Sequence, residues 1–142
     1  MKVQTIRNVK TPTRGTSQSA GIDFFVPNDF IDTSIRPGES VLIPSGIKAE
    51  VPTGYALIAF NKSGVATKQG LMVGACVVDE DYEGEIHLHM TNTSSSIQKI
   101  TSGQKIVQFI LLPINYAEIE LVYELQSRNT ERGSKGFGST GL

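Results

Sequence analysis

Among its 142 residues the sequence holds one cysteine, Cys76. A single thiol excludes an internal disulfide framework and suits a reducing compartment. Excess charge is missing as well: thirteen Lys and Arg stand against fourteen Asp and Glu, a net charge of -1, which argues against binding nucleic acid through bulk charge. No apolar run approaches the ~18 residues that a membrane-spanning helix needs. The first ten residues, MKVQTIRNVK, mix apolar and polar positions and lack the apolar block of a secretory signal. No internal repeat or inter-domain linker is evident. What is there suffices for one domain, since roughly 100–200 residues usually share a core and 39% of the residues are hydrophobic. The expectation is a soluble protein of the cytoplasm (or of a host's cytoplasm for a viral source), with neither nucleic acid nor membrane as partner.

Helical pattern is also scarce. Only Ser63 to Gln69, closed by Gly70, reads as a helix. The remaining pattern is that of strands. Val3, Ile6 and Val9 mark an N-terminal segment, and Val41, Leu42 and Ile43 sit between Gly38 and Pro44. Tyr55 to Phe60 and Ile106 to Leu112 are apolar runs short enough for buried strands, the second stopped by Pro113. Ile86, Leu88 and Met90 alternate with Glu85, His87, His89 and Thr91, so one face is buried. Ile119, Leu121, Tyr123 and Leu125 alternate again and predict a further strand. Short strands joined by Gly, Pro, Asn, Asp and Ser predict an all-β sandwich, jelly roll or small barrel. Ser127 to Leu142 is polar and glycine-rich, with little to bury except Phe137 and Leu142, and predicts a mobile tail. The expected division is therefore a β domain over 1–126 and a tail over 127–142.

Five stretches carry candidate chemistry. Ala20-Gly-Ile-Asp-Phe-Phe25 puts an aspartate, Asp23, at a strand start, which alone is as well explained by a turn. Asn61-Lys-Ser-Gly64 opens the helix, where unpaired N–H groups favour phosphate, and Ser63 and Lys62 add a hydroxyl and a charge; the plain alternative is a capping serine beside a solvated lysine. The spacing is not that of a P-loop. Val77-Val-Asp-Glu-Asp-Tyr-Glu-Gly-Glu85 holds five acidic residues within seven positions and predicts a hairpin. Asp79 follows two valines, the partly dry setting that a general base needs, with the Tyr82 ring close by in sequence. Gln108 interrupts an apolar strand and must find partners, structural or ligand. In the tail, Arg132-Gly-Ser-Lys-Gly-Phe-Gly-Ser-Thr-Gly141 combines glycines, hydroxyls and a guanidinium suited to an anion with a ring, Phe137, suited to stacking. His87 and His89 share a strand face but make a poor zinc site by themselves.

In this order the five stretches resemble the trimeric deoxyuridine triphosphatase (dUTP pyrophosphatase) family from Ala20 to Gly141. The connecting pattern Pro37-Gly-Glu39, Pro44-Ser-Gly-Ile47 and Pro52-Thr-Gly-Tyr55 belongs to the resemblance. It implies a jelly-roll-like distorted β-barrel that assembles as a homotrimer, with active sites drawing on more than one subunit and a tail closing over dUTP. It implies hydrolysis of dUTP to dUMP and pyrophosphate with Mg²⁺ as cofactor. Asp79 would activate the attacking water and touch the 3′-hydroxyl, and Tyr82 would pack under the deoxyribose. Backbone around Ala75 and His87 would read uracil. Lys62, Ser63 and Gly64 would hold phosphates, while Asp23 and Gln108 would position the phosphate–Mg²⁺–water network, Asp23 indirectly through water. Arg132 would clamp the γ-phosphate, Phe137 would stack on uracil, and Gly138, Ser139 and Thr140 would complete the tail's contacts.

The chain departs from the family pattern at Asn61-Lys62-Ser63 in place of Pro-Arg-Ser and at Gly103-Gln104-Lys105 in place of Gly-Asp-Arg, where an ion pair is expected to be lost. Cys76 and Lys135 stand where glycine is frequent. Two other readings stay open at this point: a dCTP deaminase of the same fold, and a non-catalytic trimeric nucleotide-binding or regulatory protein.

Overall fold

A computed structural model describes residues 1–136. Twelve strands and one helix follow one another: β1 (Lys2–Thr5), β2 (Thr13–Arg14), β3 (Ile22–Phe25), β4 (Thr33–Ile35), β5 (Ser40–Pro44), β6 (Ile47–Glu50), β7 (Tyr55–Asn61), α1 (Ser63–Gln69), β8 (Leu71–Val73), β9 (Val77–Val78), β10 (His87–Asn92), β11 (Gln98–Ile100) and β12 (Lys105–Pro113). The two longest apolar runs of the sequence, β7 and β12, pair antiparallel along their length, from Val107 opposite Asn61 to Pro113 opposite Tyr55. Pro113, which has no N–H to give a ladder, is the last residue of its strand.

That pair forms the centre of a five-stranded antiparallel sheet in the order β2-β3-β12-β7-β9. A three-stranded sheet, β5-β10-β8, and two ribbons, β1-β6 and β4-β11, complete the strands. Alternation selects what faces inward. From the large sheet Phe24, Leu57 and Phe109 are buried, and Ile43, Leu88 and Met90 meet them from the smaller one. The rings of Phe24 and Phe109 lie 4.5 Å apart, tilted by 50°, within the range aromatic pairs favour. Two layers around one apolar core give the expected all-β, jelly-roll-like fold, although the described strands form four separate sheets rather than one closed barrel.

Two expectations are corrected. Residues 119–125 form no strand, and Ile119 and Leu121 are fully exposed. Their alternation is real, but among the described residues they pair with no strand. The acidic stretch is also not the tip of a simple hairpin. β9 leaves to pair with β7, through Leu57 opposite Val78, whereas β10 pairs with β5 and β8. Residues 79–86 therefore cross between the two layers. Among the described residues no helix is long and apolar enough to cross a membrane.

Leu57 is wholly buried at the centre of the large sheet. Leu57→Ala should lower unfolding free energy by about 2–5 kcal/mol, measured by denaturant titration, with the secondary structure retained in far-ultraviolet circular dichroism.

Candidate active site

The predicted residues gather at two separate places. The first is a cavity of about 170 Å³ lined by Ala75, Val77, Val78, Tyr82, His87 and Phe109, with Cys76 and Ile86. Its walls come from the segment after β8, from β9, from the crossing loop, from the start of β10 and from Phe109 of β12. Tyr82 is pinned there because its hydroxyl donates to the Glu85 carbonyl at 2.8 Å. The five acids of the loop divide by role. Glu85 accepts from the Gly46 N–H at 2.7 Å and from Arg7 Nε at 3.1 Å, and Glu80 accepts from the Gly54 N–H. These two are structural anchors. Asp79, Asp81 and Glu83 are exposed. Asp79 thus stands at solvent between the cavity residues Val78 and Tyr82, not in the partly dry setting expected, because no described residue of the chain buries it.

One neighbour of the loop gave no signal in the sequence. Tyr116, three residues beyond β12, hydrogen-bonds Glu80, and its hydroxyl is held above the usual tyrosine value. Partial desolvation is the largest cause, followed by that bond and by the negative charges of Glu80, Asp79 and Asp81.

The second place lies where β3, β12 and the end of β7 meet. Asp23 is 4% exposed. One carboxylate oxygen accepts from Lys62 Nζ and the other from Lys105 Nζ, the latter at 3.0 Å. Burial pushes the Asp23 pKa up, but the hydrogen bonds and charges of Lys62 and Lys105 outweigh it, so the carboxyl sits below its ordinary range. Of the Gly103-Gln104-Lys105 stretch, Lys105 makes an ion pair with Asp23, whereas the neutral Gln104 makes none. Gln104 instead donates to Gln69 Oε1 at 3.1 Å and ties the turn to α1. Gln108 lies opposite Asp23 in the β3–β12 register and donates to the Asn61 carbonyl at 2.8 Å. Gly21, the glycine of the first stretch, is packed on it: a Cβ there would come within 2.1 Å of Gln108 Oε1. Lys62 occupies the helix N-cap position without a side-chain cap bond, so Ser63 is the first helical residue and not the capping serine. Ser63 and Gly64 are exposed.

The two places are held apart by the sheet itself. Val78, just before Asp79, pairs with Leu57 near the start of β7, while Lys62 follows its end; the intervening strand spans about 16 Å at ~3.3 Å per residue. Asp23 is on β3, and β12 and β7 separate β3 from β9, three spacings of about 4.8 Å. Arg132 is exposed, with Nε donating to the Lys135 carbonyl at 3.1 Å, and joins neither group. Phe137, Gly138, Ser139 and Thr140 lie outside the described residues. Lys105, which the sequence did not mark as a site residue, joins the Asp23 group through its ion pair.

Asp23 supplies a pH test. Its folded pKa is depressed, so its ion pairs stabilise the fold at pH values above the unfolded carboxyl value of about 3.9, and the contribution is lost as pH falls through the lower folded value. Asp23→Asn, which strands two partly exposed lysines, should cost about 1–3 kcal/mol at neutral pH. The deficit should shrink below about pH 4; denaturant titrations at both pH values would contradict this if the deficit were equal.

Residues 7–141 match the family model described as dUTPase. The chain is 38% identical over 140 residues to the deoxyuridine 5′-triphosphate nucleotidohydrolase of Mus musculus, covering 98% of this chain and 83% of that protein. It is also 38% identical over 133 residues to the enzyme of the same name from Desulfotalea psychrophila, with 92% and 87% covered. Among solved structures it superimposes on the Staphylococcus bacteriophage 80alpha dUTPase with dUPNHPP at a TM-score of 0.87 and 25% identity, covering 99% of this chain and 98% of that one. With a family model matched from residue 7 to residue 141 and relatives 38% identical over nearly the whole chain, the chain belongs to the dUTPase family.

Proposed function

We propose that this protein hydrolyses dUTP to dUMP and pyrophosphate. The observation that carries the reading is the cavity whose wall unites Ala75, Tyr82 and His87 from separate segments, with Asp79 emerging between two of its lining residues. Backbone donors and acceptors around Ala75 and His87 read the uracil edge. Cytosine presents a different order and would leave buried groups unpaired, at about 1–3 kcal/mol each. The Tyr82 ring packs under the deoxyribose and leaves no room for a 2′-hydroxyl. Asp79 accepts a proton from the water that attacks the α-phosphorus. The new bond joins water oxygen to phosphorus, and the bond to the oxygen bridging the α- and β-phosphates breaks. Lys62, Ser63 and Gly64, with Gln108 and Arg132, bind the phosphate chain, and residues 127–142 close over it with Phe137 on the base.

The described residues hold no cluster of three or more His, Cys, Asp or Glu side chains able to cage a metal, and both Asp23 oxygens already face lysines. This donor set fits Mg²⁺ bound mainly by phosphate oxygens and water, as that ion usually is in triphosphate sites, with Asp23 acting through water. When bound, the ion would neutralise charge building on the leaving pyrophosphate.

The active enzyme is a homotrimer whose sites are shared. Support comes from the distance between the two residue groups in one chain, from a base cavity smaller than the ~300–1,000 Å³ of small-molecule sites, and from the uncovered alternating segment 119–125, whose apolar side chains suit a second copy. Size-exclusion chromatography with light scattering should give three times 15.4 kDa; a stable monomer that turns over dUTP would contradict the shared site. Asp79→Asn should lower kcat by about 10²–10⁴-fold with dUTP still bound, read as pyrophosphate release with Mg²⁺ present. Ammonia release from dCTP by the wild type would overturn the reading.

A further inference from the structure

One residue of β10 holds the backbone that lines the base cavity. The Gly74 N–H donates to the His89 carbonyl at 2.9 Å, and the Ala75 N–H donates to His89 Nδ1 at 3.0 Å. The imidazole lies directly against Gly74: a Cβ at that position would come within 1.9 Å of Nδ1 and 2.5 Å of Cε1, so the ring can approach only glycine this closely. Ala75 in turn lines the cavity beside Tyr82 and His87, whereas His89 is outside the lining.

The direction of the Ala75 bond fixes the state of the ring. A nitrogen that accepts carries no proton, so His89 is neutral with its hydrogen on Nε2. His87 is the reverse. Its Nδ1 lies 2.9 Å from the Glu85 carbonyl oxygen, which only accepts, so that nitrogen carries the hydrogen. A second proton on His87 leaves its bond intact, but a proton on His89 Nδ1 turns an acceptor into a donor facing the Ala75 N–H. The two strands paired with β10 bring apolar side chains to this position: β5 sets Leu42 opposite His89, between Val41 and Ile43, and β8 presents Leu71, Met72 and Val73. The ionisable side chains nearest in sequence are His87 on β10 itself and Cys76, next to Ala75 in the loop.

We propose that His89 is a positioning residue for the base-reading backbone: its neutral imidazole holds Ala75 in place, and its protonation releases that edge of the cavity. The inference rests on the dUTPase reading and adds to it a pH-dependent grip on the base, set by a side chain outside the cavity lining.

Steady-state kinetics of the intact protein with dUTP, from about pH 5 to about pH 8.5 across the histidine range, test it on wild type, His89→Val and His89→Asn. The wild-type KM should rise about two- to tenfold toward acid, the range expected for one lost hydrogen bond, with a smaller change in kcat. His89→Val should show a KM raised by a similar factor at every pH, without the acid-side rise. His89→Asn keeps an acceptor that does not titrate, so it should recover much of the affinity and also lack the rise. An active wild type whose KM profile is matched by His89→Val would overturn the inference alone. If no variant, wild type included, consumed dUTP, the activity reading would fall and this inference with it. Imidazole ¹⁵N spectra of the substrate-free protein give a second readout: His89 should appear as the Nε2–H tautomer and His87 as the Nδ1–H tautomer, and a hydrogen on His89 Nδ1 would overturn the proposal.

Discussion

The antiparallel pairing of β7 with β12 is the constraint on which the rest depends. It runs unbroken from Val107 and Asn61 to Pro113 and Tyr55 and carries the core residues Leu57 and Phe109. It also acts as a ruler. One end of β7 brings Asn61 to Gln108 and Lys62 to the Asp23 carboxylate, and the other end is flanked by β9, from which Asp79 departs. β7 thus sets the Tyr82 cavity and the Asp23–Lys62 pair at opposite ends of one strand. The proposed shared site rests on that separation rather than on any single side chain.

Local pattern made most of the fold legible. The runs Tyr55 to Phe60 and Ile106 to Leu112 became β7 and β12, the alternation at Leu88 and Met90 became β10, and Ser63 to Gln69 became the helix. Pattern failed where the partner was not local. Val77 and Val78 are apolar enough for either sheet, and nothing nearby in sequence tells β7 from β10 as their neighbour. Ile119 to Leu125 alternates as a strand does, but alternation says only that one face wants cover. It does not say whose surface provides it.

The site was legible residue by residue and not as geometry. Asp23, Lys62 and Gln108 were each visible from family motifs, yet the contact of Asp23 with Lys105 joins positions far apart in the chain and had no local signal. Two lysines hold Asp23 with point charges on flexible stems. Within the acidic run the sequence marked Asp79 but gave Glu80 and Glu85 no role, and only their bonds to Gly54 and Gly46 identify them as anchors. His89 looked like one of a histidine pair on a strand face; its Nδ1 accepts from the Ala75 N–H whereas that of His87 faces a carbonyl oxygen.

The shared site is tested most directly by mixing two variants, Asp79→Asn and Lys62→Ala, each impaired as a homo-oligomer, and assaying pyrophosphate release from dUTP after subunit exchange. If each site takes Asp79 from one copy and Lys62 from another, random equal mixing should restore activity at about a quarter of the sites. Mixtures no more active than the two variants assayed apart would contradict the account.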